Sequence, residues 1–298
     1  MTGPKVYCII LNFNAKELLT ATIESVRRLD YSDFKIIVVD NGSNDGSQVL
    51  VKSRFPEITL IENPENLGFG EGNNVGIRYA LNEGAQWIFL LNNDIRVAPN
   101  LLSALMNVAI SDKRIGIIGP KIYYESEPNK IWYAGGKINY FTGIISHRGL
   151  REIDDGRYDH VEDTDYVTGC AMLVKREVFE RVGLFDPAFS PMYTEDADLC
   201  TRARRHGYRV VYVPQGKVWH KVSASTGGNF APAKIKYKIE HNLIFFKRYA
   251  NWYHWFTIPI CVAGASLIFI FYQLLKGNFV VVTSLFNGFA KALGRLRA

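Results

Sequence analysis

Three places in the chain put carboxylates, amides or imidazole where they could do chemistry. In FLLNNDIRV (89–97) an apolar run ends in Asn92, Asn93 and Asp94. Each of these polar groups costs free energy if buried without a partner. Either a strand simply gives way to a loop there, or the strand tip holds a ligand. In TEDADL (194–199) Glu195, Asp196 and Asp198 fall within one turn, with Thr194 placed as an N-cap. Acids at a helix start suit the helix dipole, and the same turn can present a general base at the mouth of a site. His220, in VWHKVSAS, fits a structural histidine, and a neutral imidazole is also a good ligand for a divalent metal.

Two further loops carry weaker signals. VVDNGSNDGS (38–47) is a strand followed by turn formers, and turn chemistry explains most of it. Asp40 at its tip could accept from a nucleobase N–H or a ribose. A calcium loop is excluded: Asn41, Ser43, Asp45 and Gly46 match positions 1, 3, 5 and 6, but position 12 is Lys52. NPENLGFGEGNNVGI (63–77) lies between a strand and a helix, yet a dinucleotide fingerprint fails at Asn73 and, starting from Gly70, at Val75. Flexibility at a helix start accounts for its glycines; a loop over a sugar nucleotide accounts for glycines and asparagines together.

These residues need elements to position them, and the first half of the chain alternates. Strand-like runs at 5–12, 34–40, 58–63, 86–92 and 115–122 are separated by helical stretches near 16–28, 45–54, 71–83 and 98–111. That alternation predicts an α/β fold, a Rossmann-like and mostly parallel sheet with helices on both faces. Ligands in such sheets bind beyond the carboxyl ends of the strands. Those ends are polar here: Asn12 to Asn14, Asp40 to Ser43, Asn63 to Asn66, and Asn92 to Asp94. Residues 123–168 read as a hairpin or small antiparallel patch beside an acid-rich surface loop, REIDDGRYDHVEDTD.

Composition narrows the class. Of 298 residues, 48% are hydrophobic and 21% charged, as in a folded globular protein. The net charge is +6, but residues 234–298 alone carry nine Lys/Arg and one acid, Glu240, leaving −2 for residues 1–233. The main body thus has no phosphate-backbone footprint, and nucleic acid is not an expected partner. The four cysteines are scattered and read as reduced thiols, and the N-terminus has no signal-peptide pattern. Residues 256–275 are twenty residues without a charge, flanked by aromatic and basic residues. A helix of that length spans about 30 Å, close to bilayer thickness. A buried core helix, a single span, a re-entrant hairpin and an in-plane helix all satisfy this pattern.

The order of motifs is more specific than any one of them. VDNGS, then NLGFGEGNN, then a strand into NND, then GCAMLVKREVF, then EDADLC, then Trp-His resembles the inverting family-2 glycosyltransferases of GT-A fold, over residues 5–248. It is most similar to the bacterial branch that includes rhamnosyltransferases. The resemblance implies a dTDP- or UDP-sugar donor, a saccharide or lipid-linked saccharide acceptor, and a role in cell-surface polysaccharide or glycolipid synthesis. It implies Mn²⁺ or Mg²⁺ held by Asp94 and His220, with NND standing where Asp-x-Asp is usual. Asp196 matches the catalytic base, with Glu195 beside it; Asp40 matches the base-binding residue. Leu11, Asn12, Phe13, Asn14, Asn74, Asn92 and Asn93 match positions around the nucleotide sugar. The expected organisation is a catalytic domain over 1–250 and a basic, hydrophobic C-terminal segment over 251–298 that attaches it to the cytoplasmic face of the membrane. A non-catalytic nucleotide- or sugar-binding protein on the same fold is the rival reading. A pyrophosphorylase is disfavoured because the N-terminus lacks a glycine-rich basic loop. A processive synthase is disfavoured because no Gln/Arg-x-x-Arg-Trp motif follows the acids.

Overall fold

The computed structural model describes residues 3–222 and 231–297. Its elements run β1 (Val6–Asn12), α1 (Lys16–Val26), β2 (Phe34–Asp40), α2 (Ser47–Arg54), β3 (Thr59–Glu62), α3 (Gly68–Asn82), β4 (Trp87–Asn92) and β5 (Ile95–Val97). They continue with α4 (Leu101–Ala109), β6 (Ile115–Tyr124), β7 (Ile131–Tyr133), β8 (Gly136–Asn139), β9 (Ile144–His147), β10 (Glu162–Asp163), β11 (Ala171–Lys175) and α5 (Arg176–Val182). The last are α6 (Glu195–Arg205), β12 (Arg209–His220), α7 (Pro232–Tyr249), α8 (Ile258–Leu275) and α9 (Phe279–Arg297). Two helix starts differ from expectation: α2 begins at Ser47 and α3 at Gly68. Just ahead of each, a side chain accepts the N–H two residues on, Asp45 from Ser47 at 3.0 Å and Asn66 from Gly68 at 2.9 Å.

The main sheet has the order β10-β12-β6-β11-β4-β1-β2-β3. β3, β2, β1 and β4 are parallel, as the alternation predicts. The expectation that 115–122 simply closes this series needs correction. β11 inserts antiparallel between β4 and β6, and β12 then lies parallel to β6. Strand register brings the polar tips together: Asn12 lies opposite Asp40, Asp40 opposite Glu62, and Leu11 opposite Asn92.

Alternate side chains feed two cores, one on each face of the sheet. Val6, Cys8 and Ile10 pack with Leu19 and Ile23 of α1 and with α4; Tyr7 and Ile9 pack with Ile77 of α3 and with α5 and α6. α3 approaches the strands so closely at Gly76 that a Cβ there would lie 2.8 Å from Ile9 Cγ2 and 2.9 Å from Val39 Cγ2.

The middle region forms β7 on β6 and a separate two-stranded β8–β9 hairpin. The acid-rich stretch is more than a solvated loop. Its Asp154 and Asp159 pair with the fully buried Lys121, and Tyr123 donates to Asp154 at 2.6 Å. A buried ammonium without such partners would be prohibitive, so the loop is pinned over β6.

The tail folds back. On α7, the fully buried Glu240 accepts from Arg295 of α9 at 2.9 Å and lies 3.4 Å from Lys291. Gly288 lets α9 sit against the Lys236 carbonyl, which a Cβ would approach to 2.8 Å. α8 is largely exposed, with 11% of its length buried.

Adding one methyl at Gly76 forces this packed interface apart, and overpacking of this kind costs about 1–3 kcal/mol. Gly76→Ala should therefore lower the denaturant midpoint without changing the slope of the transition; an unchanged midpoint would mean that α3 has room to shift.

Candidate active site

The polar strand ends satisfy one another along the rim. Asn93 donates to Asn12 Oδ1 at 2.9 Å, and Asn12 donates to Asp40 at 3.0 Å, so one relay crosses β4, β1 and β2. Asp40 is fully buried and also accepts from the Ser43 N–H at 2.9 Å and from Gln48 Nε2 at 2.8 Å. Asn41 ties the rim to the glycine-rich loop, donating to Asn66 and to the Gly68 carbonyl. Asn92 is half-buried, while Phe13 and Asn14 lie exposed beside the relay, with Leu11 half-buried beneath them.

Asn93–Asp94 forms a two-residue turn between β4 and β5. β5 then pairs antiparallel with the end of β12, setting Ile95 opposite His220, and the Asp94 carbonyl accepts the Lys221 N–H at 2.9 Å. This register faces two buried side chains: Asp94 Oδ1 lies 3.1 Å from His220 Nε2. The approach is close without hydrogen-bond alignment, and among the described residues Asp94 Oδ1 has no hydrogen-bond partner. Two ligands of one cation at about 2.1 Å and a right angle lie about 3 Å apart, so the pair fits a shared divalent ion. Burial by itself lowers the His220 pKa; the Cys170 sulfur and the Asp94 carboxylate outweigh it, and the ring is pushed up to about 10. A cation arriving between the two side chains would displace that proton.

Cys170 links this pair to the acids. Its side chain lies against His220, and its carbonyl accepts the Asn92 N–H at 3.0 Å. The preceding Gly169 N–H donates to Asp196 at 3.1 Å. Asp196 also accepts the Ala197 N–H at 2.8 Å and is partly open to solvent, whereas Glu195 is buried and its Oε2 has no partner among the described residues. Burial raises Glu195 well above the usual carboxyl range, and the adjacent Asp196 charge adds to it. Burial raises Asp196 as well, against the pull of the two N–H groups. Enclosure thus disfavours ionisation of Glu195 most, while Asp196 keeps two N–H donors and an opening to solvent.

The turn presenting these acids is held from two sides. Thr194 does not cap α6 as expected; it sits at φ 75°, and its hydroxyl donates to Asn242 of α7 at 3.0 Å. His241 of α7 faces the Met192 carbonyl at 2.8 Å. From the other side, the Phe69 N–H donates to the Pro191 carbonyl at 2.7 Å, and Gly68, at φ 81°, is needed because a Cβ would come within 2.8 Å of that oxygen.

Asn74 donates to Glu71 at 2.9 Å and to the Phe185 carbonyl at 3.0 Å, and accepts the Phe185 N–H at 3.0 Å, so it clamps α3 to the 184–186 segment. Several residues escaped the sequence reading. Gln48 covers Asp40 from α2, Gly169 and Cys170 bridge the two halves of the site, and Trp132 stands edge-on to His220 with centroids 4.6 Å apart. Thr22 gives no sign in sequence at all. Buried in α1, its hydroxyl accepts the Ile95 N–H at 3.2 Å and has the Asn93 and Ile95 carbonyls at 2.9 and 2.8 Å.

Thr22→Val would leave that N–H and a carbonyl unpaired at the Asn93–Asp94 turn, at a cost of about 1–3 kcal/mol. Denaturant unfolding should show this loss; wild-type stability would mean that water replaces the hydroxyl.

Comparison with known proteins identifies the family and the fold. The chain is 28% identical over 237 residues to N-acetylglucosaminyl-diphospho-decaprenol L-rhamnosyltransferase of Mycobacterium tuberculosis, covering 73% of this chain and 76% of that one. It is 26% identical over 225 residues to dTDP-rhamnosyl transferase RfbF of Shigella flexneri, covering 73% and 69%. Against the uncharacterised y4gI of Sinorhizobium fredii it is 28% identical, but spans only 26% of that longer protein. Mannosyltransferase PcManGT of Pyrobaculum calidifontis, solved with GDP-Man and Mn²⁺, superposes with a TM-score of 0.63 at 17% identity, over 98% of this chain and 87% of that one. That likeness identifies the fold as GT-A-like. Glycosyl transferase family 2 matches residues 7–183, and with more than half its length inside that match the chain belongs to this family.

Proposed function

We propose that the protein transfers a sugar, with inversion, from a dTDP- or UDP-sugar to a hydroxyl of a saccharide or lipid-linked saccharide acceptor, in cell-surface polysaccharide or glycolipid synthesis. One observation supports the reading: the consecutive residues Gly169 and Cys170 touch Asp196 and His220 respectively, so the Asp94–His220 pair and the acid share a neighbour. The names of the rhamnosyltransferase relatives support the substrate class.

Asp94 and His220 would hold Mn²⁺ or Mg²⁺. Bound there, the ion would offset negative charge growing on the departing diphosphate. Asp196 takes the proton from the acceptor hydroxyl; that oxygen bonds to the anomeric carbon from the face opposite the nucleotide. The bond from the anomeric carbon to the phosphate oxygen breaks, and its electron pair leaves with the diphosphate. Glu195 stays protonated and keeps a second negative charge away from the incoming donor. Asn92 and Asn93 line the donor side of the rim. Asp40 would read the base once Gln48 or Ser43 yields to it, with Leu11, Phe13 and Asn14 bordering that pocket. Residues 1–250 would form the catalytic domain, and 251–298 would hold it to the cytoplasmic face of the membrane.

Calorimetry of dTDP and UDP binding, with and without Mn²⁺, tests the cation site. Binding of one nucleotide should require the metal, strengthen as pH rises and His220 loses its proton, and vanish in Asp94→Ala. Metal-independent binding that survives the substitution would remove Asp94 from the site. A positioned base contributes about 10²–10⁴-fold in rate, so Asp196→Asn should lose that much turnover while still binding nucleotide. Glu195→Gln copies the protonated side chain and should stay within about tenfold of wild type; the reverse ranking would make Glu195 the base.

A further inference from the structure

We propose that the α8–α9 hairpin seats the protein in the surface of a lipid bilayer as an in-plane wedge, with both ends of α8 on the catalytic side of the membrane. The proposal rests on the membrane reading of the tail and is independent of the sugar chemistry.

The start of α8 is held by the body directly and its end through α9. At its start, Thr257 donates to the Phe141 carbonyl of the β8–β9 hairpin at 2.6 Å, and Ile258 is buried against Gly143. At its end, Gln273 is buried, accepts from Asn278 at 2.8 Å, and the chain turns into α9. α9 then runs along α7, from Gly288 at Lys236 to Arg295, which donates to Glu240 and to the Ala188 carbonyl at 2.8 Å. A crossing α8 would rise about 27 Å and carry α9 to the opposite face. That would strip the fully buried Glu240 of Arg295 and Lys291, leaving an unpaired carboxylate in the α7 core.

The outer face of α8 is built for hydrocarbon. Ile260, Leu267, Ile268, Phe271 and Leu275 follow helical spacing on one stripe and are 65–74% exposed. Phe279, Val280 and Phe286 extend the apolar surface along α9. At the α8 root, exposed rings gather: Trp252 packs on Phe256 at 5.9 Å and Phe141 on Tyr253 at 6.4 Å, the aromatic composition of the headgroup level. Over residues 251–298 the charges are Lys276, Lys291, Arg295 and Arg297, with no acid. Lys291 and Arg295 are taken by Glu240, and Lys276, its ammonium 4.5 Å from the Tyr272 ring at the end of α8, is the charge placed to meet an anionic headgroup.

The test uses the full-length chain in sealed inside-out membrane vesicles, labelled with a membrane-impermeant maleimide in a Cys261→Ser background. Lys113→Cys, on the exposed surface of the catalytic body, reports orientation. Asn287→Cys on α9 should label as fast as Lys113→Cys without detergent, whereas Phe271→Cys should label at least about tenfold slower than after detergent. Labelling of Asn287→Cys only after permeabilisation would overturn the proposal in favour of a crossing helix. Recovery of the protein in the soluble fraction as a dimer, with Phe271→Cys protected there, would overturn it in favour of a second copy. Burying a Leu or Phe side chain contributes enough that Leu267→Asp with Phe271→Asp should cut partitioning onto phosphatidylglycerol–phosphatidylcholine vesicles at least about tenfold, with nucleotide binding unchanged. Unchanged partitioning would show that this face does not meet lipid. Labelling reads topology alone, so absence of turnover in every form would count against the transferase reading and leave this result standing.

Discussion

The pairing of β5 with the end of β12 is the constraint on which the site depends. A three-residue strand is a weak element by itself, yet it is held by antiparallel pairing to His220, by the Asp94 carbonyl and by Thr22 beneath. Because a strand alternates its faces, a slip of one residue would turn Asp94 away from His220. Fixed register instead drives a carboxylate oxygen and an imidazole nitrogen together in a buried place, without letting them hydrogen-bond well. Two groups held in that way are prepared for something that binds both.

The acids are prepared differently. The Gly169 and Ala197 N–H groups aim one Asp196 oxygen each, while Glu195 is enclosed by protein, which raises its pKa well above the usual carboxyl range. Two adjacent carboxyls thereby meet unlike environments, which pushes their protonation equilibria apart. Since Gly169 and Cys170 are consecutive, one peptide unit touches both the Asp94–His220 pair and Asp196, in addition to the distant segments that hold each of them.

Much of this was legible in the sequence, for identifiable reasons. Parallel strands buried on both faces announce themselves as apolar runs, and their polar tips mark the rim; Asn12, Asp40, Asn92, Asn93 and Asp94 were found that way. What escaped was whatever depends on pairing between distant segments. Nothing local says that 171–175 inserts antiparallel between β4 and β6, because an apolar strand reads the same in either direction. Thr22 looks like an ordinary helix residue until β5 lies over it. Asn74, placed by resemblance beside the nucleotide, spends its amide on Phe185, and only the tertiary fold shows that. The acid-rich loop reads as solvated because its partner Lys121 lies in a strand more than thirty positions away.

The seating of Gly68 against Pro191 bears on how such an enzyme can be rebuilt. The glycine-rich loop begins where the turn carrying Glu195 and Asp196 begins, and the two share a backbone hydrogen bond and a contact with no room for a side chain. Donor-side and acid-side segments are therefore not separable cassettes. A loop transplanted from a relative brings its own first residue against the turn that carries Glu195 and Asp196, so the two segments have to be exchanged as one unit.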